Sequence, residues 1–481
     1  MKIAFLHYHI KPGGVTTVIR QQIEAIKKSC EVLVISGEPV DSSFPADTIH
    51  VPGTGYDRPG KKTPDPGLVA NAVLDAILSK WSQGCDILHV HNPTLAKNKN
   101  FLKILKKIET SPKQPEKKIK LFLQIHDFAE DGRPQSYFFD PYLSNCHYGV
   151  INSRDYSILL KAGLKKKGLH KIFNTVTPPL NIKPGIKPER KIHDNRVLYP
   201  VRAIRRKNIG EAILLSLFFK AGDKLAITLP PNSPADIGSY ENWKEFCAKH
   251  NLWVLFEAGL KNNFTELVQS SKFIITTSIT EGFGFSFLEA WTAKKFLWGR
   301  KLPDICHDFE EKGIQLNHLY KKLLIPVEWI GKEEFFAIWK STIIKNCRLF
   351  KYNIDNEKIK KHFLTITKNN VIDFGLIDEG FQKKVILRLL TEKKELETLK
   401  KINPFLSHPG NAPEMKKLIS NNMNNVLKNY NEKKYRQKLL DVYSRINTCP
   451  VLHSIDKNAL LDEFLNLNKF SLLKWREYAG K

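Results

Sequence analysis

Residues 272–291 read KFIITTSITEGFGFSFLEAW. A β-branched run at 272–277 gives way to a turn with two glycines, and apolar residues then recur at helical spacing from Phe285 to Ala293. Strand, glycine turn and helix in this order make half of a βαβ unit, so the stretch argues for a parallel sheet with a ligand at its strand ends. A helix start carries unpaired N–H groups and partial positive charge, which suits a diphosphate. Gly282 and Gly284 allow close approach of the backbone. Glu281 and Glu289 lie eight positions apart, one on the loop and one about a turn into the helix, placed for sugar and ribose hydroxyls. A glycine turn with a capping glutamate is the bland alternative; paired acids around Gly-Phe-Gly favour the functional one. Glu281, Gly282, Phe283, Gly284, Phe285 and Glu289 form the expected ligand-binding loop.

Outward from this loop the same rhythm continues. Strand-like runs at 196–201, 224–229 and 252–256 alternate with helical periodicity at 209–219, 240–250 and 264–271. The first of these strands runs into YPVRAIRRKN, residues 199–208. Arg202 and Lys207, five apart across a turn, are placed to clamp two phosphates, although four cations in six residues are often only a solvated turn. The N-terminal third repeats the pattern, with strands at 2–9, 31–35, 86–91, 119–126 and 147–152 and helices at 16–28, 68–81 and 95–108. Residues 52–67 and 110–118 read as loops, and the proline-rich 177–188 as an interdomain linker. Beyond about residue 330 the chain turns to Lys/Glu/Leu-rich helices, clearest at 379–401 and 434–447.

Chemistry is also suggested in the first half. Lys11-Pro12-Gly13-Gly14-Val15 joins strand one to helix one, where the glycines leave room for a phosphate or an acceptor. His126 ends a strand in Gln124-Ile125-His126-Asp127, placed to bond a sugar or to assist an acceptor's proton, although a single strand-end histidine is more often structural. His7, His9, His89 and His91 alternate on two strands; hydrogen-bonded histidines lining a cleft floor are preferred over a zinc site, because no Cys or carboxylate completes the spacing. Asp-x-Asp occurs nowhere, so the cations and helix dipoles would have to replace a metal on the diphosphate.

Composition bounds the rest. With 481 residues, 42% hydrophobic, the chain is long enough for two cores and too apolar to be disordered. Seven scattered cysteines without Cys-x-x-Cys point to reduced thiols, and no apolar run is long enough for a membrane span, so a cytoplasmic protein is expected. The net charge of +27 would attract any polyanion. The lysines are spread through helices and loops without interleaved aromatics, so no specific nucleic-acid partner is expected.

Taken in order, KPGGV, DILHVHNP, QIHDF, KIFNTVTPP, VRAIRRKN and EGFGFSFLEAW resemble the retaining GT-B glycosyltransferases that carry an E-x7-E element (glycosyltransferase family 4-like), over residues 1–300. The resemblance implies an α/β fold of two Rossmann-like domains facing across a cleft, with an extended helical C-terminus. Its domains would be 1–180 on the acceptor side, 181–340 for the nucleotide sugar, and 341–481 as a helical extension partly packing back on the first. It implies that Arg202 and Lys207 bind the donor diphosphate, Glu281 the sugar and Glu289 the ribose. His126 would lie beside the sugar, and Gly13 and Gly14 would face phosphate or acceptor. His126, Arg202, Lys207 and Glu281 form the implied catalytic set, with no metal and no cofactor, the nucleotide sugar being a substrate. The implied reaction moves a hexose from a UDP- or GDP-linked donor to a hydroxyl, with retention, by front-face displacement. A small, soluble acceptor is favoured; an anionic or lipid-linked one, a peripheral membrane contact and a homo-oligomer stay open. The chain departs from the family after Glu289, at 294–304, where Arg300 and Lys301 are candidates for tuning recognition. The alternatives are a nucleotide-sugar epimerase and a non-catalytic binder of sugar nucleotides or polyanions.

Overall fold

The computed structural model describes residues 1–41, 43–60, 63–178 and 195–478. The chain forms two compact units, each built from two stretches of sequence: Met1–Thr175 with Tyr430–Leu465, and Val176–Asn429 with Asn466–Lys481.

Unit 1 holds a seven-stranded sheet in the order β3-β2-β1-β4-β5-β6-β7. Its strands are β1 Lys2–His7, β2 Glu31–Ser36, β3 Asp47–His50, β4 Ile87–His91, β5 Lys120–Ile125, β6 His147–Val150 and β7 Leu169–Lys171. Every pairing is parallel. Side chains alternate across a strand, so β1 sends Ala4 and Leu6 to one face and Ile3 and Phe5 to the other, and each face needs its own cover. Helices Pro66–Lys80 and Phe101–Thr110 cover the first face through residues such as Val73, Ile77, Phe101 and Leu105. Helix Gly14–Ile26 covers the second, together with Glu432–Thr448 from near the C-terminus, whose Tyr435, Leu439, Val442, Tyr443 and Ile446 fall on one helical stripe.

Unit 2 holds a five-stranded parallel sheet in the order β10-β9-β8-β11-β12. These strands are β8 Arg196–Arg202, β9 Lys224–Leu229, β10 Val254–Leu255, β11 Ile274–Thr276 and β12 Leu297–Gly299. A separate antiparallel pair, β13 Leu324–Pro326 and β14 Val371–Asp373, lies among the helices that follow. Both sheets have the order 3-2-1-4 at their centre, so successive crossovers leave the middle strand in opposite directions. The crevices at the ends of β1 and β4 and of β8 and β11 are the switch points where open α/β sheets bind ligands.

The alternation expected from sequence is present in both halves. The strand expected at 252–256 shortens to two residues, and helix 95–108 starts only at Phe101, because residues 92–100 form a loop opened by Asn92 at φ 53. β3, β7 and β12, of three or four residues each, were not expected. Of the linker at 177–188, all but Thr177 and Pro178 lies outside the described residues. The stretch taken as a helical extension, 341–481, divides: residues to Asn429 belong to unit 2, Tyr430–Leu465 to unit 1, and the remainder again to unit 2. Among the described residues no helix is long and apolar enough to cross a membrane.

Candidate functional site

The switch point of unit 2 brings Lys207 and Glu281, both singled out in the sequence, into contact together with Arg206. β8 carries Pro200, which has no N–H for the ladder, and the β8–β9 register shifts between Tyr199 and Arg202. From there the chain makes a short turn, Arg205–Lys207, before helix Ile209–Ser216. Opposite, β11 ends at Thr276 and leads to Glu281. The carboxylate of Glu281, 8% exposed, pairs with the Lys207 ammonium and lies 3.3 Å from Nη1 of Arg206, which also donates to the Thr280 carbonyl at 3.1 Å. Burial alone would push Glu281 up; the charges of Lys207 and Arg206 outweigh it and hold the carboxyl at about 2. Lys207 is pushed down from its ordinary value by burial and by Arg206, against the pull of Glu281. Two cations therefore share one carboxylate and leave a net positive charge at the strand ends, the electrostatics an anionic ligand requires.

The backbone of this turn is held from beneath. Tyr199 Oη donates to the Lys207 carbonyl at 2.6 Å, and Thr277 Oγ1 donates to the same oxygen at 3.1 Å. Asn208 adopts the left-handed conformation, φ 53, and its amide bridges Glu211 at 2.7 Å and Gln382 at 2.8 Å. Glu211, fully buried, accepts from Arg300 through Nε at 2.8 Å and Nη2 at 2.5 Å and from Tyr320 Oη at 2.6 Å. Arg300 reaches Asp373 through Nη1 and Nη2, both at 2.8 Å. Arg300, a candidate for recognition in the sequence, is thus a buried structural ion bound to two carboxylates. Lys301 likewise pairs with Glu310 at 2.5 Å.

The remaining loop residues divide by exposure. Glu289 stands in the first turn of helix Ser286–Thr292, as expected, and reaches solvent. Its carboxyl is pushed up by the surrounding protein, with Glu281 adding and Lys207 opposing, an effect that solvent screens. The ring of Phe283 is buried and packs edge-on against Phe285 at 4.9 Å and Phe309 at 5.7 Å, so it belongs to the core beneath the loop. Gly284 has φ 88, the left-handed region that favours glycine, and a Cβ there would also crowd the side chains of Ile305 and Phe287 at 3.0 Å. Helix Ser286–Thr292 has only two turns, so the cations outweigh its dipole. Arg202 ends β8 exposed, its Nη1 on the Pro230 carbonyl at 3.1 Å; Arg206, rather than Arg202, shares Glu281 with Lys207. The sequence reading passed over Arg206, because a run of cations does not show which one turns inward. It also missed Ser286, whose buried Oγ has no hydrogen-bond partner among the described residues.

The switch point of unit 1 is lined by imidazoles. His126, 7% exposed, lies with Nε2 2.8 Å from His91 Nδ1, and its backbone N–H donates to Asn92 Oδ1 at 2.8 Å. His91 Nε2 is buried without a partner among the described residues. A buried orphan N–H is rarer than an orphan acceptor, so His91 carries its proton on Nδ1 and donates to His126, leaving His126 protonated at Nδ1. Burial pushes His126 down to about 4 and His7 and His89 to about 3, so all three are neutral at pH 7. His89 is locked between the Tyr443 hydroxyl and Gln124 Oε1, each at 2.9 Å. At the end of β1, Gly13 has an extended backbone, a Cβ on Gly14 would meet nothing within 4 Å, and no side chain caps helix Gly14–Ile26. Neither conformation nor packing requires these glycines; what they leave is space.

No model of a known protein family matches the sequence. The chain is 28% identical to mannosylglucosyl-3-phosphoglycerate synthase of Petrotoga mobilis, over 82% of each protein. Among solved structures, a glycosyltransferase from Rickettsia africae superposes with a TM-score of 0.53 at 11% identity, covering 93% of this chain and 99% of that one. Sucrose-phosphate synthase from Thermosynechococcus elongatus gives 0.52 at 12% identity, covering 92% and 98%. Anabaena HepE in complex with UDP gives 0.50 at 12% identity, covering 92% and 100%. The strand orders and these superpositions agree: the chain has the GT-B fold, two Rossmann-like domains, found in glycosyltransferases.

Proposed function

We propose that this protein is a retaining glycosyltransferase that moves a hexose from a UDP- or GDP-linked donor to a hydroxyl of an anionic acceptor of the phosphoglycerate glycoside type. The observation that carries the reading is Glu281 held ionised between Lys207 and Arg206 at the β8/β11 switch point. The nucleotide sugar supplies the leaving group. Lys207 and Arg206, with Arg202 at the rim, take up the charge that grows on the diphosphate as the sugar–phosphate bond breaks. Glu281 orients sugar hydroxyls and Glu289 the ribose. The acceptor oxygen bonds to the anomeric carbon on the face the phosphate leaves. The electron pair departs with the nucleoside diphosphate, and the acceptor's proton passes to the departing phosphate oxygen. In unit 1, His126 has a neutral Nδ1–H to offer a hydroxyl of a bound substrate. Neither a metal nor a cofactor enters this scheme, in keeping with the lack of Asp-x-Asp. The acceptor class is taken from the name of the Petrotoga relative, whose product bears both a phosphate and a carboxylate.

The test is release of nucleoside diphosphate from candidate donors with and without a glycosyl-3-phosphoglycerate. Acceptor-dependent release, with the product's anomeric configuration matching the donor's by NMR, is expected. Epimerised donor in the absence of any acceptor would replace this reading with that of an epimerase.

A further inference from the structure

The imidazoles at the strand ends of unit 1 form an ordered set of hydrogen bonds rather than a loose lining. His91, fully buried, is the last residue of β4, and its ring is stacked 4.4 Å from that of His89 and 6.0 Å from that of Phe5. His7 Nδ1 lies 3.2 Å from the His91 carbonyl. A carbonyl only accepts, so His7 carries its proton on that nitrogen. The next residue, Asn92, has the left-handed conformation, and its Oδ1 accepts from the backbone N–H of His126 at 2.8 Å and of Asp127 at 3.1 Å. The end of β4 therefore grips His126 twice. Asn92 holds its backbone, and His91 Nδ1 meets its Nε2 at 2.8 Å with the two rings 15° from parallel.

One proton serves that nitrogen–nitrogen contact, and its position decides what His126 can do. With the proton on His91, the lone pair of His126 Nε2 is occupied and the proton of His126 sits on Nδ1. With the proton on His126, its Nδ1 would be bare and able to act as a base. The proton of His91 would then fall on Nε2, which is sealed from solvent with no acceptor among the described residues. A buried N–H without an acceptor is the costlier arrangement. Burial holds His126 at about 4, and burial with His89, His126 and His7 as neighbours holds His91 well below its ordinary value, so both rings are neutral near pH 7. His126 Nδ1 has no protein partner among the described residues and, unlike His91 Nε2, is not sealed off. We propose that His91 is a positioning residue that locks His126 as a hydrogen-bond donor and excludes it as the base for the acceptor's proton, which agrees with the departing phosphate oxygen taking that proton. That His126 meets a substrate rests on the transferase reading; the lock itself does not.

The experiment is long-range proton–nitrogen correlation NMR of the full-length, histidine-labelled protein at neutral pH without ligand, with His126 assigned by its loss in His126→Asn. Wild type shows His126 protonated at Nδ1 with a hydrogen-bonded, unprotonated Nε2. His91→Asn, whose amide can donate from the place of Nδ1, keeps this pattern. In His91→Leu the donor is gone, and His126 Nε2 moves to the shift of a free lone pair or takes the proton itself. Turnover of the same variants falls about tenfold in kcat/KM for His91→Leu, the worth of one hydrogen bond, and recovers in His91→Asn. His126→Asn, which offers an N–H but no base, stays more active than His126→Ala. A wild-type His126 protonated at Nε2, or an Nε2 signal unchanged in His91→Leu, overturns the lock. Equal turnover in His126→Asn and His126→Ala overturns the donor role. Failure of every donor to turn over, with the NMR pattern as expected, overturns the transferase reading and leaves the lock standing.

Discussion

Lys207 and Glu281 define the chemistry at the residue scale. Each is held in a charged form by the other, and Arg206 tips the balance to positive. Replacing Lys207 by alanine is expected to lower kcat by about 10²- to 10³-fold, the usual effect of removing one preorganised group from a developing oxyanion. Circular dichroism should show the fold unchanged. Glu281 also makes a pH prediction with a definite sign. Its folded value, about 2, lies below the ordinary 4.5, so its stabilisation is complete above 4.5 and is lost as the pH falls toward 2. Urea unfolding of wild type and Glu281→Gln across that window should show a flatter pH dependence in the variant; parallel curves would contradict the ion triad. The acids and Lys207 were legible in the sequence because their spacing fixes their places on a strand end and a helix start. Arg206 and Ser286 were not, since inward orientation in a turn depends on tertiary partners.

At the scale of elements, the Arg205–Lys207 turn is positioned by residues far along the chain: Asn208 to Gln382, and Glu211 to Arg300 and Asp373. Arg300→Met would leave two carboxylates buried and unpaired, at a cost of about 3–5 kcal/mol. Arg300→Lys should recover little, because an ammonium does not reproduce the planar fork that engages both acids. Denaturant titration of the two variants measures this. β12 shows why short strands escaped sequence reading. Its three residues lie between Lys294–Lys295 and Arg300–Lys301, so charge hides the apolar core of the segment. Yet Gly299 is fixed there, at φ 129, with a Cβ position 2.0 Å from the Thr276 carbonyl oxygen. β3 and β7 lie at the edges of their sheet, where half the pairing is absent and the apolar run can be brief.

For the whole molecule, the path of the chain matters as much as its elements. Tyr430–Leu465 returns to complete unit 1, and Tyr443 both fills the core beside Phe122 and donates to His89. Tyr443→Ala is expected to cost unit 1 about 3–5 kcal/mol. Hydrogen exchange should show the loss in β1, β4 and β5 and leave the sheet of unit 2 protected. The alternation of strands and helices announced two doubly wound sheets, and the periodicity at 434–447 announced a helix. Which sheet that helix covers is set by complementary apolar faces distant in sequence; periodicity does not record it, and only the family resemblance implied that the stretch packs back on the first domain. The account as a whole depends on the cations of unit 2 gripping a nucleoside diphosphate. Calorimetric titration of UDP and GDP into wild type and Lys207→Ala tests it most directly. One nucleotide should bind the wild type and lose at least about tenfold in affinity in the variant; no binding of either, or equal affinity in both proteins, would contradict it.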